Sequence, residues 1–302
     1  MSRPTPRSIH EYLTALRVAL AGEDPALIQD ALYDAEEYLR AEVAANPGIP
    51  EADVLDRVAR TYGRPEEIAD AYRDTEVKVT RALRPPVSNR ASASTPLDRF
   101  LSVYSDPRAY LSLFFMFLSL VTGIAYFTFA VTALSLSLGL AILIIGLPMF
   151  IAFIGIARVI SLGEGRLLEA VTGERMPRRP VHPGPRGGLW ERILAMLQDP
   201  RTWTTLAYLV LMLPIGLIYF GVATAGLSVG LALLLVPVVG LAPRLGWWSG
   251  TEPLVISPAW LDTPIGWVFC VVFGIVVLTT LLHVARIVIG LHARAAKALL
   301  VT

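Results

Sequence analysis

Cysteine is almost missing. Cys270 is the only one among 302 residues, so neither a disulfide framework nor a cysteine metal site can form within one chain. Its setting in an apolar run reads as a small core hydrophobe. Charge is scarce too: 17% of residues are Asp, Glu, Lys or Arg against 54% hydrophobic, too apolar for an ordinary soluble domain. Arg108 and Arg158 enclose 49 residues without a charged side chain, and a second uncharged stretch runs from Arg201 to Arg244. These runs offer no Asp, Glu, Lys or Arg at depth, which argues against a pump or ion-coupled carrier. Only His283 approaches the bilayer, near its cytoplasmic edge. There is no H-E-x-x-H, no P-loop and no paired-carboxylate arrangement, so no metal and no cofactor are expected. The start, MSRPTPRSIHEYLTAL, lacks the apolar core of a secretory signal, so the N-terminal domain is expected to stay on the side where it is made.

One string has a catalytic look. GLSVG at 226–230 satisfies G-x-S-x-G, and Asp262 and His283 follow in hydrolase order. A nucleophile elbow needs a strand, a turn and a helix. Here the flanks are a membrane run, and the same string is a G-x-x-x-G helix-packing motif. No enzymatic activity is expected.

Residues 1–78 stand apart. They carry a balance of −7, while residues 79–302 sum to +8. Ser8 and Glu11 form an S-x-x-E capping box. The spacing of Tyr12, Leu13, Leu16 and Leu20 predicts a helix from about Ile9 to Ala21. Asp24-Pro25 predicts a second start, with an apolar stripe of Leu27, Ile28, Leu32, Tyr38, Leu39 and Val43 that NPGIP ends. Pro50-Glu51 opens a third helix through Val54, Leu55, Val58 and Ala59, and GRPEE at 63–67 closes it and opens a fourth. Residues 8–75 thus read as an acidic cytoplasmic helical bundle. An acidic face argues against direct nucleic-acid binding, which selects for basic residues. Residues 76–96, with Pro-Pro, Ser and Ala, read as a basic linker near the membrane surface.

The rest of the chain is written twice. GIAYFTFAVTALSLSLGLAIL from Gly123 aligns with GLIYFGVATAGLSVGLALL from Gly216 at an offset of 93, and the same offset aligns LDRFLSVYSDPR with WERILAMLQDPR. RVISLGEGRLLEA at Arg158 echoes RIVIGLHARAAKA at Arg286. The first repeat covers 97–176 and the second 189–302, with a Pro/Gly/Arg-rich cytoplasmic loop, 177–188, between them. Each opens with a short amphipathic helix suited to lying in the interface: Leu97, Phe100, Leu101 and Tyr104 in one, Trp190, Ile193, Leu194 and Leu197 in the other. A corner follows, Asp106-Pro-Arg108-x-Tyr110 and Asp199-Pro-Arg201-x-Trp203. Asp caps the next helix, Pro suits its first turn, Arg sits at headgroup level and the aromatic joins the interfacial belt. Asp106, Arg108, Tyr110, Asp199, Arg201 and Trp203 are therefore expected to be membrane-interface anchors.

Basic residues crowd the linker, the middle loop and the tail, whereas 244–262 holds one base and two acids. Both termini and the middle loop are then cytoplasmic, and 244–263 is external. The number of crossings is even: two in the first repeat, and two in the second at about 204–225 and 264–286. The stretch 227–243 is left as a continuation, a broken helix or a re-entrant piece. Five crossings, the alternative, would put a basic C-terminus outside. The expected fold class is all-α: a small cytoplasmic helical bundle plus a polytopic α-helical membrane domain of two parallel repeats. In the external insertion, Trp247, Trp248 and Trp260 read either as interface anchors or as a ligand-binding lid over an apolar pocket between repeats, suited to a lipid or amphiphile.

IHEYLTALRVAL, DALYDAEEYLRAEV and VARTYGRPEEIADAY resemble the bacterial HAAS signalling domain over residues 8–75. The resemblance implies a cytoplasmic signalling or interaction role, often beside a PadR-like transcription regulator. Residues 97–302 resemble the transmembrane sensor domain of actinobacterial-type histidine kinases, through DPRTW, GLIYF, LSVGLALL, the Trp-rich insertion and LHVARIVIGLHARAAKALL. In such relatives a kinase commonly follows the last helix, which implies a cytoplasmic C-terminus; up to Thr302 neither a phosphoacceptor-histidine helix nor an ATP-binding domain is visible. The expected function is a non-enzymatic sensor, multi-pass in the bacterial plasma membrane. It would pass a membrane or lipid-like ligand state through the amphipathic helices to the acidic domain and a cytoplasmic protein partner. Its expected partners are the lipid bilayer, that protein, and a second copy or a larger membrane complex. The alternatives are an accessory or structural subunit of such a complex, or a permease subunit working with a separate ATPase.

Overall fold

The computed structural model describes residues 6–83, 95–143, 145–177, 194, 197–243, 245–247 and 259–301. The chain divides into two compact units. One combines residues 1–88, 132–208 and 293–302; the other combines 89–131 and 209–292. Among the described residues the regular structure is helical and no strand occurs, the all-α class expected.

Four helices form the N-terminal bundle: α1 (Ile9–Ala19), α2 (Pro25–Ala45), α3 (Glu51–Thr61) and α4 (Pro65–Leu83). The Glu11 amide donates to Ser8 Oγ at 3.2 Å, while the Glu11 carboxylate accepts from the Arg7 amide at 2.8 Å, so the cap closes one residue earlier than a standard capping box. α1 ends two residues short of expectation. Asp24 caps α2 through the Ala26 amide at 2.8 Å. The apolar stripes meet in one core of Tyr12, Leu16, Leu20, Leu39, Val54, Leu55 and Val58 with small alanines between them. Each large side chain buried here contributes about 1.5–3 kcal/mol relative to exposure. The GRP turn fits because Gly63 has φ +119°, which a side chain would resist, and its carbonyl accepts the Tyr12 hydroxyl at 2.8 Å.

α4 runs through Leu83, so residues 76–83 of the stretch read as linker are helical; α5 (Pro96–Leu101) starts on a capping box between Thr95 and Asp98, and one 3-10 turn, Ser102–Ser105, leads to the first corner. Four long helices follow: α6 (Pro107–Gly139), α7 (Gly146–Thr172), α8 (Pro200–Leu241) and α9 (Pro264–Val301). All four are long and apolar enough to cross a membrane, with mean hydropathies of 2.0, 1.4, 2.3 and 2.6. Of the amphipathic helix expected at 190–197, only 194 and 197 fall within the described residues.

The stretch left open at 227–243 resolves as continuation: through Leu241 it belongs to α8, a single 42-residue helix with Pro214 and Pro237 inside it. At 1.5 Å per residue α8 is about 63 Å long, roughly twice the ~30 Å hydrocarbon thickness. Glycines on α8 admit α9. A Cβ on Gly226 would lie 2.9 Å from Leu281, one on Gly230 2.5 Å from Leu278, and one on Gly240 2.7 Å from Trp267. The partner numbers fall as α8 advances, so α8 and α9 run antiparallel. α6 and α8 approach at backbone distance. A Cβ on Gly123 would lie 2.5 Å from the Met212 carbonyl oxygen, and one on Gly216 would collide with the Ser119 carbonyl. Gly123 and Gly216 stand 93 residues apart, as do Ser119 and Met212, so one contact is made twice.

Candidate functional site: corners, joint and cleft

The two corners fold alike. The Arg108 amide donates to Asp106 Oδ1 at 3.1 Å and the Arg201 amide to Asp199 Oδ1 at 3.0 Å. The Tyr110 hydroxyl reaches back to the Tyr104 carbonyl at 3.0 Å, and Trp203 Nε1 to the Leu197 carbonyl at 2.8 Å. Both aromatic rings and Arg108 are exposed, while Arg201 is half-buried. The charge partners were not foreseen. Asp106 pairs with Arg286 at 3.2 Å and Asp199 with Arg158 at 3.3 Å. Arg286 lies in the second repeat and Arg158 in the first, so each corner aspartate takes its arginine from the other copy.

The first unit joins the acidic bundle to the helix ends. Arg175, three residues beyond α7, pairs with Asp30 at 2.9 Å and with Glu76. Lys297, in the last turns of α9, pairs with Asp24 at 2.6 Å and stands 3.9 Å from Glu174. Asp24 uses Oδ1 for its cap and Oδ2 for Lys297. Two cations thus hold three carboxylates of the bundle.

A small cleft opens beside this joint, with a cavity volume of about 40 Å³. Gln29 of α2 closes one side; Arg158, Ser161, Leu162 and Gly165 of α7 form another. Met176, Pro177, Asp199, Arg201, Thr205 and Leu300 complete the lining. Gly165 has no Cβ because Met176 packs there, at a would-be 3.3 Å.

The tryptophans expected to bind ligand stand elsewhere. Trp247 and Trp260 are 72% and 52% exposed, Trp260 rests edge-on against Phe269 at 5.6 Å, and neither lines the cleft. Trp248 lies outside the described residues. His283 is satisfied locally, its Nε2 3.0 Å from the Phe100 carbonyl and its ring stacked on Phe100. GLSVG lies mid-helix in α8, with Gly226 and Gly230 against α9, so it forms no strand-turn-helix elbow.

Two buried polar groups escaped the sequence reading, which left them beyond the apolar runs. Glu164 is 1% exposed inside α7 and accepts from the Tyr208 hydroxyl at 3.2 Å. His292, 4% exposed, sits inside α9 between Phe115 and Tyr219. The echo of RVISLGEGR in RIVIGLHAR aligns Glu164 with His292, and the 93-residue offset aligns Phe115 with Tyr208. That alignment was the available signal.

A family model described as "Putative sensor" matches residues 115–300, more than half of the chain. No curated protein and no solved structure matches it.

Proposed function

The chain belongs to this sensor family, and on that premise we propose that it is a non-enzymatic sensor of the bacterial plasma membrane that relays a membrane or lipid-like ligand state to a cytoplasmic protein partner. The observation that carries the reading is the joint. Arg175 follows α7 and Lys297 sits in the last turns of α9, and both grip the acidic bundle. A ligand that favours one packing of the long helices shifts these cations against Asp24, Asp30 and Glu76, and so biases how the bundle is held. The relay expected through the amphipathic helices gains a second route, through the ends of α7 and α9. Both termini are cytoplasmic in this reading. The HAAS-like bundle, 8–75, presents an acidic surface to the partner, for which the resemblance suggests a PadR-like regulator.

The test is affinity purification of the intact protein in mild detergent, with co-purifying proteins and lipids identified by mass spectrometry. A soluble regulator that is lost when 8–75 is deleted supports the reading. A stoichiometric set of membrane subunits that survives the deletion sinks it, in favour of an accessory subunit. One observation favours that second reading: the most apolar window of α8 is 11% buried, against 28–33% for the other long helices, which leaves α8 a broad face for lipid or a neighbouring subunit.

A further inference from the structure

We propose that the α2 face held by Arg175 and Lys297 is the surface on which the bundle takes its cytoplasmic partner, that the joint masks this surface, and that the partner presents a basic helix with an apolar stripe. The proposal names the partner chemistry and the regulation of the sensor described above, and rests on that reading.

The face is marked by burial that the bundle's own core does not explain. Ala26 and Leu27 are 0% and 1% exposed, yet neither belongs to that core. Asp30 is buried as well. Residues 26, 27 and 30 are spaced three and four apart, so they share one side of α2. The ends of α7 and α9 meet this side. Arg175 reaches Asp30, Lys297 reaches Asp24, and Met176 and Leu300 line the small cleft together with Gln29.

Charge and composition describe the occupant. Asp24 and Asp30 stand three residues to either side of Leu27, and Glu76 adds a third carboxylate through Arg175. A helix that carries Arg or Lys beside Leu or Met is complementary to that pattern. The segments seated there have this composition: Arg175 adjoins Met176, and Leu300 follows Lys297 by about one turn. The remaining bundle surface offers little else. Protein interfaces combine an apolar centre with a polar rim, and among the described residues of the bundle only Val18 and Val77 are exposed large hydrophobics. Acid without an apolar anchor gives weak attachment that salt screens.

Masking follows from shared contacts. Arg175, Lys297 and the cations of a partner compete for the same carboxylates. A partner therefore binds only the released fraction of the bundle, and its apparent affinity falls by that fraction. A membrane state that loosens the ends of α7 and α9 switches partner binding on.

The experiment uses the full chain in phosphatidylcholine nanodiscs and reads the fluorescence anisotropy of a labelled peptide. The peptide copies residues 166–180 and carries four arginines against two glutamates, with Arg175 and Met176 among its residues. Arg175→Ala combined with Lys297→Ala opens the joint and is expected to bind the peptide about tenfold or more tighter than the wild-type chain. Arg175→Ala decides alone if the double variant fails to fold. In the opened chain Asp30→Asn is expected to remove most of the added affinity. Asp53→Asn, which alters an exposed carboxylate on α3, is expected to keep it. Equal affinity for the wild-type and opened chains overturns the proposal, and so does an equal loss in Asp30→Asn and Asp53→Asn. Capture of a soluble regulator through 8–75, measured on the same variants, separates the two claims. Capture that is equal in the wild-type and opened chains removes the mask and leaves the sensor standing. Peptide binding as expected, with no regulator captured, keeps the mask and removes the sensor reading.

Discussion

Arg175→Ala removes the cation that holds two carboxylates of the acidic bundle. The Arg175 side chain is 13% exposed and that of Asp30 6%, so this pair is shielded from solvent; Glu76, at 26%, is less so. Removing one partner of a buried ion pair costs about 3–5 kcal/mol, because the remaining charge stays buried. Glu76 recovers part of its hydration, which puts the loss near the lower end, about 3 kcal/mol, or roughly a hundredfold in the equilibrium between held and released bundle. The bundle itself should stay folded, since Arg175 takes no part in its core. Hydrogen–deuterium exchange of the full chain in nanodiscs reads this directly. Amides at 24–32 and 170–176 are expected to exchange about a hundredfold faster, while those around Tyr12 and Leu55 keep their protection. Asp30→Ala added to Arg175→Ala should cost little more, as two members of one interaction do. Unchanged exchange at 24–32, or fully additive effects in the double variant, would show that this pair does not hold the joint, and the relay argument would fall with it.

Three further outcomes follow from the same contacts. Gly216→Leu and Gly123→Ala push a side chain into backbone carbonyls and should destabilise the chain in detergent by about 1–3 kcal/mol, whereas Gly221→Ala, which meets nothing within 4 Å, should not; equal midpoints for Gly221→Ala and Gly216→Leu would refute the close approach. Burial, aided for Tyr62 and Tyr72 by the Asp34 carboxylate, raises the hydroxyls of Tyr12, Tyr62 and Tyr72 above the ordinary tyrosine value of 10.0. A raised pKa favours the neutral form in the fold, so the stability it brings is full below pH 10 and is lost as pH rises beyond it. Tyrosinate absorbance should lose amplitude in Tyr12→Phe and Tyr72→Phe only above that pH, and a loss at lower pH would contradict their burial. Ser228→Ala should leave partner capture and every phenotype intact, and a lost activity in that variant would reopen the hydrolase reading.

Local signals carried far in this sequence. Ser8, Asp24, Asp106 and Asp199 all cap or turn the chain where their residue types said they would, because a cap is satisfied within three residues. The number of candidate spans was legible from the spacing of charge. Long-range partners were not. Nothing in DPR says that Asp106 pairs with Arg286 rather than with an arginine of its own copy, and Arg175 and Lys297 look like ordinary cytoplasmic bases until the bundle folds against them. The stretch 227–243, left open between continuation, break and re-entrant piece, holds Pro237 inside α8; a proline removes one hydrogen bond and bends a helix without ending it when packing continues on both sides, and Gly240 still packs against Trp267. Glu164 and His292 escaped notice because their partners, Tyr208 and Phe115, come from the other repeat.

The exchanged aspartate pairs set a timetable for synthesis. Asp199 meets an arginine made 41 residues earlier, already in place when the second corner leaves the ribosome. Asp106 must wait for Arg286, 180 residues later. At roughly 5–20 residues per second that delay is about 10–40 s. Over that interval the first corner keeps the hydrogen bond from the Arg108 amide but lacks its Arg286 contact. The first corner therefore gains its cross-repeat ion pair only when the last helix arrives.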